Sequence, residues 1–397
     1  MTFENKPAVK FSNVPVGPIG FICLRGTEEL GKQIDNELKN RRIESIDTNP
    51  NLLAFPEVYK ESYIMDHNCL RFSNGEGKAV LNSSGRGKDI FILADIGNYS
   101  CTFKMFNMDI PMSPDDHYQD LKRVISSLSG KARRINLIMP MLYEGRQHWR
   151  NSRESLDCAH SLQELESLGV KNILTFDAHD PRVQNAIPLT GFENFHPTYQ
   201  IIKAMIREIN DIDFDKDHLL VVSPDEGGMK RSLYYATVLG LDLATFYKRR
   251  DYTQVIHGRH PIVAHEFLGD SVEGKDVLIV DDIIATGESM LDVACNLRER
   301  GAKRIFIAVT FPLFTNGIKA FNKAYEEGII NKVFSTNLTY RTSELLNSPW
   351  YCDVNMSKFI SYLIDTINSD TSLNDLVRPF KKISIVLEKH RNERNHF

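Results

Sequence analysis

The chain has 397 residues, 42% hydrophobic and 25% charged, with 23 Gly and 16 Pro; this globular composition excludes disordered and fibrous classes, and the length suits two domains. Lys and Arg number 48 against 52 Asp and Glu, a net charge of -4, and no long basic block appears, so the electrostatic footprint of a nucleic-acid binder is missing. Cys23, Cys69, Cys101, Cys158, Cys295 and Cys352 lack C-x-x-C spacing, MTFENKPAVKF has no apolar core of signal-peptide type, and no run nears the ~20 apolar residues of a membrane span, so reduced thiols, no membrane and a cytoplasmic location are expected.

In chain order, GFICL near 20, DIFILAD near 89, INLIMP at 135, NILTF at 172, LLVVSP at 219, VLIVDD at 277 and IFIAVT at 305 are short apolar runs that predict buried parallel strands. Between most of them EELGKQIDNELKN, DLKRVISSLS, SLQELESLG, YQIIKAMIREI and MLDVACNLRERG have helical spacing and polar faces. The alternation runs twice and predicts an α/β fold of two similar domains, each a mostly parallel sheet flanked by helices. The loop-rich DAHDPRVQNAIPLTGFENFHP around 177–197 separates the two sets, giving domains at 1–185 and 186–380 and a charged tail at 381–397. After Asn331 the chain reads as a strand in KVFSTNL, a loop holding Trp350, a helix in MSKFISYLIDTIN and a charged end, KHRNERNHF, whose last residues are expected to fray.

The run VLIVDDIIATGESM, 277–290, carries the most chemistry. Asp281 and Asp282 stand at the carboxyl end of a predicted parallel strand, where α/β sheets place their ligand crevice. Ala285, Thr286, Gly287, Glu288 and Ser289 then lead into the helix MLDVACNLRER, whose free N–H groups and dipole make an anion site. Gly287 lets the backbone come close to a phosphate. Two carboxylates beside such a cradle suit a sugar phosphate, the acids taking ribose hydroxyls or Mg2+ and the loop the 5-phosphate. A helix cap and an ordinary turn would also account for the acids and hydroxyls alone.

The whole pattern, an apolar run, Asp-Asp, two aliphatics, a small residue and Thr-Gly-x-Ser, resembles the binding loop of the phosphoribosyltransferase-type fold. From about Cys23 to Leu376 the sequence resembles the ribose-phosphate pyrophosphokinase family, also called phosphoribosyl pyrophosphate synthetases. RFSNGE, by itself a hairpin turn, is similar to the segment that packs on adenine from a neighbouring subunit, which implies roles for Phe72, Asn74 and Glu76. GRQHWRNSRES resembles the Arg-Gln segment near the ATP phosphates and carries over Arg146 and Gln147, Arg being suited to fork onto phosphate oxygens. TFDAHDPRVQ matches the family's Asp-x-His, which puts His179 near the metal and ATP phosphates. LVVSPDEGGMKRS resembles a turn whose acid, Asp225, faces the sugar phosphate and metal, while FYKRRD resembles the start of a mobile catalytic loop with Lys248 and Arg250. These five segments stand in family order.

The resemblance implies transfer of the β,γ-pyrophosphoryl group of ATP to the C1 hydroxyl of ribose 5-phosphate, with Mg2+ as cofactor, His179 and Asp225 toward the metal, and Lys248 and Arg250 catalytic. It also implies a homodimer assembling to a hexamer. Three departures touch the site: Ala285 stands where the family usually has an Asp, His148 follows Arg-Gln in place of an acid, and the stretch from Arg250 to Val277 is lengthened. Further length sits in the N-terminal lead, in loops around 45–65 and 100–116, and in the tail. Two other readings follow from these features: a catalytically silent homologue that regulates a true synthetase, and a phosphoribosyltransferase, whose D-D-x-x-A-T-G pattern the loop matches.

Overall fold

The structure, a computed structural model, describes residues 14–250 and 262–394, and of 248–250 and 262–265 the backbone only. The N-terminal lead, residues 251–261 of the lengthened stretch after Arg250, and the last residues of the charged end lie outside the described residues.

The first sheet has the order β1-β4-β7-β8-β9, built from β1 (Ile19–Cys23), β4 (Asp89–Leu93), β7 (Arg134–Ile138), β8 (Asn172–Phe176) and β9 (Gly191–Phe195). Two hairpins interrupt this series, β2 (His67–Arg71) with β3 (Gly77–Leu81), and β5 (Thr102–Met105) with β6 (Met108–Pro111). The second sheet has the order β12-β11-β10-β13-β14-β15-β16, from β10 (Leu219–Ser223), β11 (Leu243–Arg250), β12 (Ile262–Leu268), β13 (Asp276–Ile284), β14 (Arg304–Pro312), β15 (Lys332–Thr336) and β16 (Tyr351–Val354). Strands β1, β4 and β10 are buried along their whole length, as expected where helices cover both faces of a parallel sheet and the sequence has no polar alternation. Strand β12 pairs antiparallel with β11 at the edge, with a register shift between Arg249 and Arg250, so this sheet is mostly parallel.

The helices are α1 (Glu28–Thr48), α2 (Pro114–Ser127), α3 (Asp157–Ser167), α4 (Thr198–Glu208), α5 (Met229–Leu239), α6 (Glu288–Glu299), α7 (Lys319–Glu326), α8 (Ser343–Leu346), α9 (Ser357–Asn368), α10 (Asn374–Val377) and α11 (Phe380–Arg394). The chain forms two compact units: Met1–Thr175, Asp180–Asn194 and Ser357–Arg378 in the first, and Phe176–His179, Phe195–Met356 and Pro379–Phe397 in the second. Helix α9 joins the first unit because α1 offers it charge partners. Arg41 Nε lies 2.9 Å and Arg42 Nε 3.1 Å from the Asp365 carboxylate, and Arg42 donates to Asn368 Oδ1 at 2.6 Å.

Several segments differ from expectation. The stretch 177–197 contains the short 3-10 turn Pro181–Ala186 and the edge strand β9, and the loop expected around 100–116 is the β5–β6 hairpin. In the stretch 45–65, Pro50–Ala54 is a 3-10 turn and Ile64 bridges to Phe21 on the edge strand β1. The charged end is helical through Arg394: α11 buries Ile383 completely, and the largely buried His390 ring nitrogen bonds the Ile212 carbonyl at 2.9 Å. Its few apolar and aromatic contacts outweigh a composition that reads as solvated. All six cysteines are free, and only Cys295 is not fully buried.

Candidate active site

In the second unit, β10 and β13 are parallel neighbours, so the residues after Ser223 and at the end of β13 emerge along one sheet edge. Asp281 pairs in register with Val309, and Asp282, only 6% exposed, follows it. The loop after Ile284 is tied down by the N–H groups of Leu313 and Phe314 on the Ile284 carbonyl and of Thr315 on the Ala285 carbonyl. Gly287 adopts φ 83°, and a Cβ there would lie 2.3 Å from the Phe321 ring. Glycine is therefore required twice, by the left-handed backbone and by close packing. Phe321 belongs to an aromatic cluster with Phe314 and Trp350, at centroid distances of 5.0 and 5.5 Å. Helix α6 begins at Glu288 with no side-chain cap, and Thr286, Glu288 and Ser289 are exposed. The Glu288 N–H lies 3.5 Å from Thr286 Oγ1, and the dipole of this exposed first turn favours negative charge.

Beneath this loop lies a dense charge cluster. The Arg231 guanidinium, with a side chain 9% exposed, reaches Asp281 at 3.3 Å, Asp282 at 3.5 Å and Asp177 at 3.5 Å. His179 Nδ1 lies 2.8 Å from Asp282 Oδ2, while His196 and Thr310 bond the two oxygens of Asp177. Asp177 itself has φ 42°, a left-handed conformation that a non-glycine residue holds only where its surroundings impose it. Burial would raise the Asp177 carboxyl, but His196 and Arg231 outweigh it and hold the group low. Burial and the adjacent Asp282 push Asp281 up to about 8. Against the same burial, the His179 hydrogen bond and Arg231 hold Asp282 well below the usual range. The His179 imidazole is raised, chiefly by its bond to Asp282. The two adjacent buried carboxyls therefore resist carrying two negative charges at once, a repulsion that a bound cation would relieve.

The sequence reading did not assign roles to Arg231, His196 or Thr310. One signal for Arg231 was available: it is a cation in the first turn of α5, against the helix dipole, a position that calls for a nearby anion. His196 and Thr310 are joined to Asp177 only by the fold.

Asp225 lies just after β10, half-buried, and accepts the Gly228 N–H at 3.1 Å in the turn that leads into α5. Among the described residues no three His, Cys, Asp or Glu side chains converge as a metal-ligand set. Mg2+ is commonly bound by one or two carboxylates together with substrate phosphates and water, so the oxygen-rich edge around Asp225, Asp281 and Asp282 fits that ion.

In the first unit, Phe72, Asn74 and Glu76 form the β2–β3 turn, closed by the Phe72 N–H on the Glu76 carbonyl at 2.8 Å. Asn74 donates to Glu76 Oε2 at 3.0 Å, and the Phe72 ring is 56% exposed. Arg146 is exposed in the loop after β7; Gln147 donates to the Ser155 carbonyl at 2.8 Å, and His148 Nε2 stands 3.7 Å from Asp180. Lys248 and Arg250 were expected to begin a loop. Their backbone instead continues β11, opposite His265 and Ile262, and residues 251–261 lie outside the described residues. The structure thus gathers His179, Asp281 and Asp282 into one cluster and places Asp225 and the 285–289 loop on the same unit.

Residues 19–169 match the family described as the N-terminal domain of ribose phosphate pyrophosphokinase, and residues 190–338 match the phosphoribosyl transferase domain. The ribose-phosphate pyrophosphokinase of Ralstonia nicotianae is 30% identical over 253 residues, 63% of this chain and 71% of that protein. Its counterpart from Vibrio parahaemolyticus is 28% identical over 313 residues, 78% of this chain and 90% of that protein. The crystal structure of phosphoribosylpyrophosphate synthetase from Mycobacterium smegmatis shares the fold, with a TM-score of 0.68 at 21% identity, covering 89% of this chain and 99% of that one.

Proposed function

Because the chain belongs to the ribose-phosphate pyrophosphokinase family, we propose that it transfers the β,γ-pyrophosphoryl group of ATP to the C1 hydroxyl of ribose 5-phosphate, giving 5-phosphoribosyl 1-pyrophosphate and AMP for nucleotide biosynthesis. The observation that carries this reading is the Asp281–Asp282 pair, held by Arg231 and His179 beside the uncapped start of α6. An acid pair takes ribose hydroxyls, and the Thr286–Ser289 backbone takes the 5-phosphate.

The C1 oxygen attacks the β-phosphorus in line, the bond to the α,β-bridging oxygen breaks, AMP leaves with that oxygen, and the hydroxyl proton is lost. Such a displacement needs little covalent help, so catalysis rests on positioning and on positive charge at the transferring oxygens. Lys248 and Arg250 supply that charge. Phe72, Asn74 and Glu76 hold the base from a neighbouring subunit, while Arg146, Gln147 and His179 bind the triphosphate. Asp225 and His179 would hold Mg2+, which would supply charge neutralisation at the phosphates.

Ala285 removes one carboxylate from the loop and leaves its backbone donors in place, so sugar-phosphate binding tolerates the change. The test is formation of AMP and phosphoribosyl pyrophosphate from ATP, ribose 5-phosphate and Mg2+, with Lys248→Ala and a sugar-free mixture as controls. Stoichiometric products that vanish in both controls are expected. Ligand binding without turnover would instead identify the silent regulatory homologue.

A further inference from the structure

The β5–β6 hairpin is built against the turn that carries Phe72. The Phe106 N–H donates to the Ser73 carbonyl at 2.8 Å, and a Cβ on Gly75 would lie 2.6 Å from Met105 Sδ. The base of the hairpin is fastened by Arg25, which donates to the carbonyls of Thr102 at 2.9 Å and Cys69 at 3.1 Å. Arg71, paired with Asp120 at 2.6 Å, lies 5.0 Å over the Phe103 ring. The hairpin and the β2–β3 turn therefore form one rigid corner.

At its tip, Phe106 and Asn107 have φ of 47° and 65°, the two positive values of a hairpin turn that normally takes Asn-Gly. A phenylalanine at the first of these positions works against the local backbone preference. Nor is the ring buried: Phe106 is 67% exposed, and Met108 and Phe72 are 56% exposed each. A bulky aromatic held in an unfavourable conformation and left in solvent points to a contact made with a ligand.

We propose that Phe106 is a second aromatic wall for the nucleobase of the triphosphate donor, opposite or beside Phe72, and that the β5–β6 hairpin sets donor-base preference. This rests on the reading that the Phe72–Glu76 turn holds the base. A planar base offers a π face to any aromatic ring, so two rings on one rigid corner grip it with little loss of side-chain freedom.

The decisive variant is Phe106→Gly, because glycine suits the turn and should leave the melting temperature unchanged or raised. The KM for ATP should rise by roughly tenfold, with the KM for ribose 5-phosphate and the solution mass unaltered and affinity for inorganic tripolyphosphate, which has no base, preserved. Phe106→Trp should restore ATP binding. An unchanged KM for ATP, an equal loss of tripolyphosphate affinity, or a changed oligomeric mass would each overturn the proposal. Phe72→Ala, measured in parallel, separates the two readings: if it raises the KM for ATP while Phe106→Gly does not, the hairpin's role alone fails, and if it leaves the KM for ATP unchanged, the role given to the Phe72 turn fails and the two-walled grip with it.

Discussion

Arg231 brings a guanidinium into a place where Asp177, Asp281 and Asp282 converge, and the consequences are electrostatic. With Asp281 raised to about 8 by burial and by Asp282, the folded protein binds a proton there that the unfolded chain, with its ordinary carboxyl, has already released at neutral pH. Stability therefore falls as pH rises from about 4 to about 8. His179, also raised, adds stability that is present below its unfolded pKa and is lost as pH climbs through the folded one, so both groups act in the same direction. In metal-free protein in chelator, the melting temperature should decline from pH 5 to pH 8, and Asp281→Asn should flatten that decline. A slope equally steep in the variant would remove Asp281 as its source.

Among the elements, α9 is the clearest case of a charged network deciding where a helix docks. Arg42, with a side chain 3% exposed, faces Asp365 on α9, and Asn368 also binds the wholly buried Asp89 at 2.9 Å. Replacing Asp365 by Ala leaves Arg42 buried without its carboxylate, a change that costs about 3–5 kcal/mol in comparable buried pairs. Urea unfolding should show the loss in the transition of the first unit, while the aromatic cluster under Gly287 keeps its spectroscopic signature. A loss below about 1 kcal/mol would mean that Arg42 is hydrated or re-paired. The β2–β3 turn shows the opposite dependence, since Phe72–Glu76 is closed by local bonds and was legible as a turn in FSNGE.

For the whole molecule, the proposed division of the site, with the base-binding turn from one subunit and the catalytic cations from another, predicts that it can be split by mutation. Phe72→Ala and Lys248→Ala, each deficient alone, should regain part of the activity when mixed and allowed to exchange subunits, because some hybrid sites then contain both native residues. No recovery after proven exchange would place the whole site within one chain and undercut the expected dimer and hexamer.

What the sequence determined by itself was local or periodic. Continuous apolar runs marked strands of two mostly parallel sheets, and Asp-Asp-Ile-Ile followed by Ala-Thr-Gly marked a strand end and a glycine that the structure finds at φ 83°. The tertiary structure decided which distant residues meet: Arg231 and His196 with Asp177, α9 with α1, α11 with Ile212, and β9 and β12 at sheet edges. Hydrophobic period reports which face of an element is buried, but it carries no address for the partner. A buried charge is stable only beside its partner, and that proximity exists only once the chain has folded.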